Sequence, residues 1–204
     1  MKVFLDEQQI EVERPSLRAA MSAAIGLANG AGRVVIEVYA DGEPLPSHLL
    51  DEPSDEPLGY AELRFASAIP SVMVQQILLD AADALDRVRE DQESAAAQIQ
   101  AGRLSDARRS LEQVVSLWQL VVLAVQRGGA LLDRDLTAIQ AGDPPKPIAD
   151  RIGTLRTDLE GLASALGDED WSALSDALED DMGAQVSDWQ DALKIMADEI
   201  AKAG

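Results

Sequence analysis

The stretch "LEQVVSLWQLVVLAVQRGGALL", residues 111–132, decides how this chain must fold, because from Leu117 to Val125 only Gln119 is polar. Its dense apolar part covers about nine residues, against the roughly 20 needed to span a bilayer. A membrane span is therefore not expected, and the segment should bury itself in protein. Leu111, Val114, Trp118, Val121 and Val125 follow helical spacing, and Val115, Leu117, Leu120 and Val122 broaden the stripe onto a second face. A helix apolar on more than one face needs neighbours on several sides, which places it in the middle of a bundle.

The chain supplies those neighbours. Val74, Ile77, Ala81, Leu85, Val88 and Ile99 predict a helix from Pro70 to about Gln100, stopped by Gly102. The 111–132 segment belongs to a second helix, expected to open on Ser105 as N-cap, to bend at Gly128-Gly129 and to run to Ile139 before GDPPKP ends it. A third helix carries Ile148, Ile152, Leu155, Leu159, Leu162 and Leu166 in alternating steps of four and three, a coiled-coil-like seam. The fourth opens on Asp168, Glu169 and Asp170, whose charge suits a helix N-terminus. Its stripe is Trp171, Leu174, Leu178, Met182, Val186, Trp189, Leu193, Met196 and Ile200, with Gly183 inside the run.

Upstream of residue 67 the pattern is different. KVFL, QIEVE and RVVIEVY are short β-branched or alternating runs that predict strands, and YAELRFA reads as a last one. DEQQ predicts a hairpin turn, and Asp41-Gly42 a second turn. Ser16 should cap a helix whose buried face is Leu17, Met21, Ala24 and Ile25, with Gly30 and Gly32 stopping it. The order strand, strand, helix, strand, loop, strand resembles the β-grasp (ubiquitin-like) arrangement, and a generic two-layer α+β module explains it equally well. The chain ends KAG, without the paired glycines of ubiquitin-like sulfur carriers, so that activity is not implied. The fold class expected is α+β. A small ββαββ-like module over residues 1–66 precedes an antiparallel bundle of about four long helices over 67–204.

Charge narrows the partners. Seventeen basic residues against 37 acidic ones give a net charge of −20, which repels nucleic-acid phosphates and anionic lipid surfaces. Residues 141–204 hold 5 bases and 15 acids, so this third of the chain carries half of the excess. With no cysteine, disulfides, thiolate metal sites and thiol nucleophiles are excluded. The acids at positions 6 and 7 interrupt any N-terminal secretory signal, and a cytoplasmic location is expected.

Catalytic patterns are absent from the sequence. His48 is the sole imidazole and sits in a proline-rich acidic loop, where an exposed histidine is expected. NGAG at 29–32 follows a helix, whereas a phosphate cradle follows a strand and opens a helix. DEPSDEP lacks the spacing of a calcium loop. Glu179, Asp180 and Asp181 lie between apolar positions and should face solvent, whereas a di-metal site needs inward Glu-x-x-His pairs. Neither metal, cofactor nor enzymatic activity is expected.

What remains is recognition of another protein. Trp171 and Trp189 are 18 residues apart, five helical turns or about 27 Å, so both indoles should share one helix line. Residues 168–199 hold eleven acids and one base, Lys194. The candidate partner-binding stripe is Trp171, Leu174, Leu178, Met182, Val186, Trp189 and Leu193. The stripe is expected either to anchor its helix to the bundle core or, in the functional reading, to be partly exposed and to receive a partner that is basic or presents an amphipathic helix. The expected function is a non-enzymatic adaptor or dedicated chaperone, similar in composition and helicity to the small acidic export chaperones of flagellar and type III secretion systems. The alternative is a structural homo-oligomer, with a homodimer as its simplest form, paired through the seam of residues 148–166.

Overall fold

In the computed structural model, residues 1–57 and 59–203 are described, and they divide into two compact units, Met1–Met73 and Val74 onward. That division lies seven residues beyond the change of sequence pattern after residue 66, inside the first long helix.

In the first unit, β1 (Lys2–Leu5) turns through Asp6, with φ 54°, into β2 (Gln8–Ile10). Ser16 caps α1 (Leu17–Gly30), its hydroxyl accepting from the Ala19 amide at 3.2 Å. The face that α1 buries is Leu17, Ala20, Ala24 and Ala28. Three alanines allow a close approach that bulkier side chains would prevent, so Met21 is only half-buried and Ile25 is exposed, contrary to the expected face. Strand β3 (Val34–Ala40) passes through Asp41 and Gly42, with φ of 49° and 90°, into β4 (Glu43–Pro44). Both turn residues are left-handed, as a tight hairpin requires. A short helix, α2 (Ser47–Asp51), interrupts the loop before β5 (Glu62–Ala68) and carries His48, exposed. The Asp41 carboxylate accepts from the Ala61 and Glu62 amides at 3.0 and 2.8 Å, closing that loop.

The five strands form one sheet in the order β2-β1-β5-β3-β4. β1 pairs parallel with β5, Val3 opposite Leu63, and the other ladders are antiparallel. Period-two alternation sends Val3, Leu63, Phe65 and Val38 to the α1 side, where they make the core.

The second unit is helical, and its core draws on every long helix. α3 (Pro70–Gln100) ends at Gly102, φ 70°, and α4 (Leu104–Leu131) returns alongside it, the Ser110 hydroxyl donating to Gln98 at 3.1 Å. Ser105 is not the cap: α4 opens after Arg103, without a side-chain cap. α4 also stops eight residues before Ile139. Asp133 adopts φ 49°, a 3₁₀ turn follows at Leu136–Ala138, and β6 (Gln140–Ala141) pairs antiparallel with β7 (Lys146–Pro147). Gly128 and Gly129 do not mark a bend inside a longer helix. They are buried near the α4 end, where a Cβ would lie 2.7 Å from Val74 and 2.8 Å from the Arg134 carbonyl.

Helix α5 (Ile148–Gly167) is followed by α6 (Trp171–Asp176), a π-helical turn over Ala177–Asp181 and α7 (Met182–Ala203). The fourth predicted helix is thus broken by a wider turn. In a regular α-helix the three successive steps of four would rotate Val186 about 120° away from Leu174. The π turn takes up one residue and brings the two back into line. Polar ties join α7 to its neighbours: Gln190 donates to Asp86 and to the Ala82 carbonyl, Arg89 donates to Gln190 and Ser187, and Gln185 donates to Asp158.

Candidate functional site

The stripe proposed from sequence as a docking surface is the unit's own core. Leu174, Met182, Val186, Trp189 and Leu193 are 0% exposed, Leu178 is 2% exposed, and Trp171 is half-buried against them. Of the two readings of this stripe, the burial matches the core anchor and corrects the exposed docking surface. A helix with this much apolar area is stabilised by covering it, and α3, α4 and α5 supply the cover. The five-turn line from Trp171 to Trp189 is likewise broken by the π turn between them.

Trp189 meets Trp118 of α4 edge to face, with ring centroids 6.2 Å apart. Neither indole N–H has an acceptor among the described residues, nor has the amide nitrogen of Gln92, which is 2% exposed. Arg151, also buried, ion-pairs with Asp188 on α7 and donates to the Ala141 carbonyl at 2.8 Å, tying β6 to α5 and α7. Burial pulls its guanidinium below the usual value, and Asp191 works in the opposite direction.

The apolar surface left open lies between α4 and α5. One cavity, about 470 Å³, is lined by Leu111, Val115, Leu159, Leu162 and Leu166, with Arg108 and Glu112 at its rim. The next, about 590 Å³, is lined by Trp118, Val122, Leu123, Ile152, Leu155 and Leu159. Gln119 and Leu159 belong to both, so the two form one groove. Leu111 and Leu166 share one end and Val122 and Ile152 the other, so the two helices run antiparallel along it. Leu111, Trp118, Leu155 and Leu162 are its buried floor, and Val115, Val122, Ile152, Leu159 and Leu166 are half-buried walls. From Ile152 to Leu166 it extends about 21 Å, four helical turns.

Its rim is not acidic. Arg108 has no ion-pair partner among the described residues, Arg156 pairs with Glu160 at 3.4 Å, and Glu112 is the one acid in the lining. The acids of residues 168–199 belong to the α5–α6 connection, α6, the π turn and α7 instead.

Sequence reasoning passed over Val115 and Val122 as a site and took Leu159 and Leu166 only as part of a self-pairing seam, although the signal for a groove was present. The α4 stripe is broader than the helices around it cover, and Leu120 remains 59% exposed. α4 also contains an 18-residue window of mean hydropathy 1.4, one third of it buried. By length and composition it could therefore cross a bilayer, which corrects the argument from nine residues. Among the described residues no three His, Asp or Glu side chains come together as a metal-binding group. The carboxylates whose acidity is shifted, Asp6, Asp135 and Glu199, owe it to Ser67, Thr137 and Lys202 in turn, and none of them lines the groove. No protein-family model, curated protein or solved structure matches this chain.

Proposed function

We propose that this chain is a non-enzymatic protein-binding module, an adaptor or dedicated chaperone, whose α4/α5 groove takes an amphipathic helix from a partner. The observation that carries this reading is the continuous apolar groove, with buried leucines and Trp118 as floor and half-buried aliphatic walls. Its length suits about four turns of helix, and anchors at i, i+3, i+4 and i+7 would fill it. A chain of net charge −20 draws a partner whose outward face is basic, and a second copy of itself would be repelled. We read the helical unit as an antiparallel bundle that holds the groove. The first unit is read as β-grasp, supported by its strand order β2-β1-β5-β3-β4 and the parallel β1/β5 pair. A cytoplasmic role like that of secretion or flagellar export chaperones is part of the same proposal.

A synthetic Leu/Lys amphipathic helical peptide of about 18 residues, long enough to fill four turns, is the first probe. It should bind the full chain, lose at least about tenfold in affinity with Leu159→Asp or Val122→Asp, and bind better than a scrambled peptide of equal composition. The variants should keep the native circular dichroism. Equal binding of both peptides, or variants that bind as the wild type does, refutes the reading. A fixed oligomer that dissociates with Leu159→Asp would instead assign the groove to a second copy.

A further inference from the structure

We propose that Trp171–Asp181 is a shutter that opens locally while the rest of the helical unit stays folded, with Glu169 and the π turn as its two hinges. The proposal stands whether or not the groove takes a helix. Residues 168–181 contain seven carboxylates and no base, and none of the seven is ion-paired among the described residues. Asp176 has Glu179 and Asp180 three and four positions further along, where like charges on a helix repel.

The backbone is weakest at the two ends of this segment. Glu169 holds φ 56°, a left-handed conformation that costs a residue with a Cβ. At the other end five residues form i→i+5 turns in place of regular α-helix. Between them, among the described residues, one side-chain hydrogen bond reaches another helix, from Gln100 to Glu179 at 2.7 Å. α7 by contrast is tied to α3 and α5 through Gln185, Ser187 and Gln190. The segment packs on α5 and keeps Leu174 and Leu178 covered, so its opening uncovers apolar surface on a helix that also walls the groove.

The π turn holds one residue more than a regular helix needs. Without it, Leu174 and Val186 would be eleven residues apart, which leaves them about 20° from alignment in an unbroken α-helix. Deleting Asp180 should therefore remove the hinge and keep the core register.

Hydrogen exchange of the full chain, read by mass spectrometry, tests this. Amides of 172–181 should exchange at least about tenfold faster than those of 193–200. Salt at about 0.5 M should slow them several-fold by screening. The triple variant Asp176→Asn, Asp180→Asn, Asp181→Asn should do the same at low salt, and the Asp180 deletion should slow them further. Equal exchange of the two segments overturns the proposal. So does a rate that neither salt nor the asparagine variant changes, and that result would hold even if the deletion variant failed to fold.

Discussion

Trp118 of α4 and Trp189 of α7 stand edge to face, their planes 63° apart and neither ring reached by solvent. The pair locks the longest apolar helix to the C-terminal one, in a chain whose aromatics make up only 3% of residues. Trp118→Ala or Trp189→Ala should each cost about 3–5 kcal/mol in urea unfolding. A double-mutant cycle should return a coupling of about 0.5–1.5 kcal/mol. Additive losses would show that the rings stabilise the core separately.

Gln92 offers the opposite outcome. Its buried amide nitrogen has no acceptor among the described residues, and such a donor costs about 1–3 kcal/mol. Gln92→Met keeps the length of the side chain and removes the donor. The variant should melt at a temperature equal to or above that of the wild type, and a clear drop would mean that the amide is satisfied in solution.

The glycines divide into two classes. At Gly129 a new Cβ would stand 2.8 Å from the Arg134 carbonyl, a backbone atom with little freedom to retreat, so Gly129→Ala should destabilise by about 1–3 kcal/mol. At Gly153 and Gly161, exposed on α5 with nothing within 4 Å, Ala should stabilise by about 0.5–1 kcal/mol each. Thermal melts of the three variants compare these signs directly.

Asp6 gives the first unit an acid-sensitive tie. Its carboxylate accepts from the Ser67 amide and hydroxyl, both at 2.8 Å, and Arg33 lies 3.6 Å away. The Ser67 hydrogen bonds hold the Asp6 carboxyl below its ordinary 3.8. A lowered folded-state value means stability that is present above the unfolded value and is lost as pH falls through the folded one. The first unit should therefore weaken below about pH 4. Asp6→Asn, which tolerates the same left-handed backbone, should flatten that acid limb. NMR amide signals of β1 and β5 followed against pH would read it.

Much of this architecture was legible in the residues. The shift from period two to about 3.6 separates the strands from the helices, and Ser16, Asp41-Gly42 and Gly102 mark local boundaries that need only their own backbone and neighbours. α5 (Ile148–Gly167) runs the length of the expected seam from Ile148 to Leu166, because that seam is a local signal. The far end of α4 was not legible. Leu136 and Ile139 continue the apolar pattern, yet they serve the core from a 3₁₀ turn and the residue just after it, since a side chain's polarity does not say which backbone delivers it.

The stripe from Leu174 to Leu193 shows the same division more sharply. Its sequence determined that these side chains must be covered, because apolar area is removed from water wherever something can cover it. Which surface covers them is a property of the assembled helices. The helices of the second unit close over that stripe and over Trp118, and they leave Val115, Val122 and Leu159 along a groove. That choice depends on how far apart α4 and α5 settle, a distance set by packing among residues remote in sequence, and only the tertiary structure decides it.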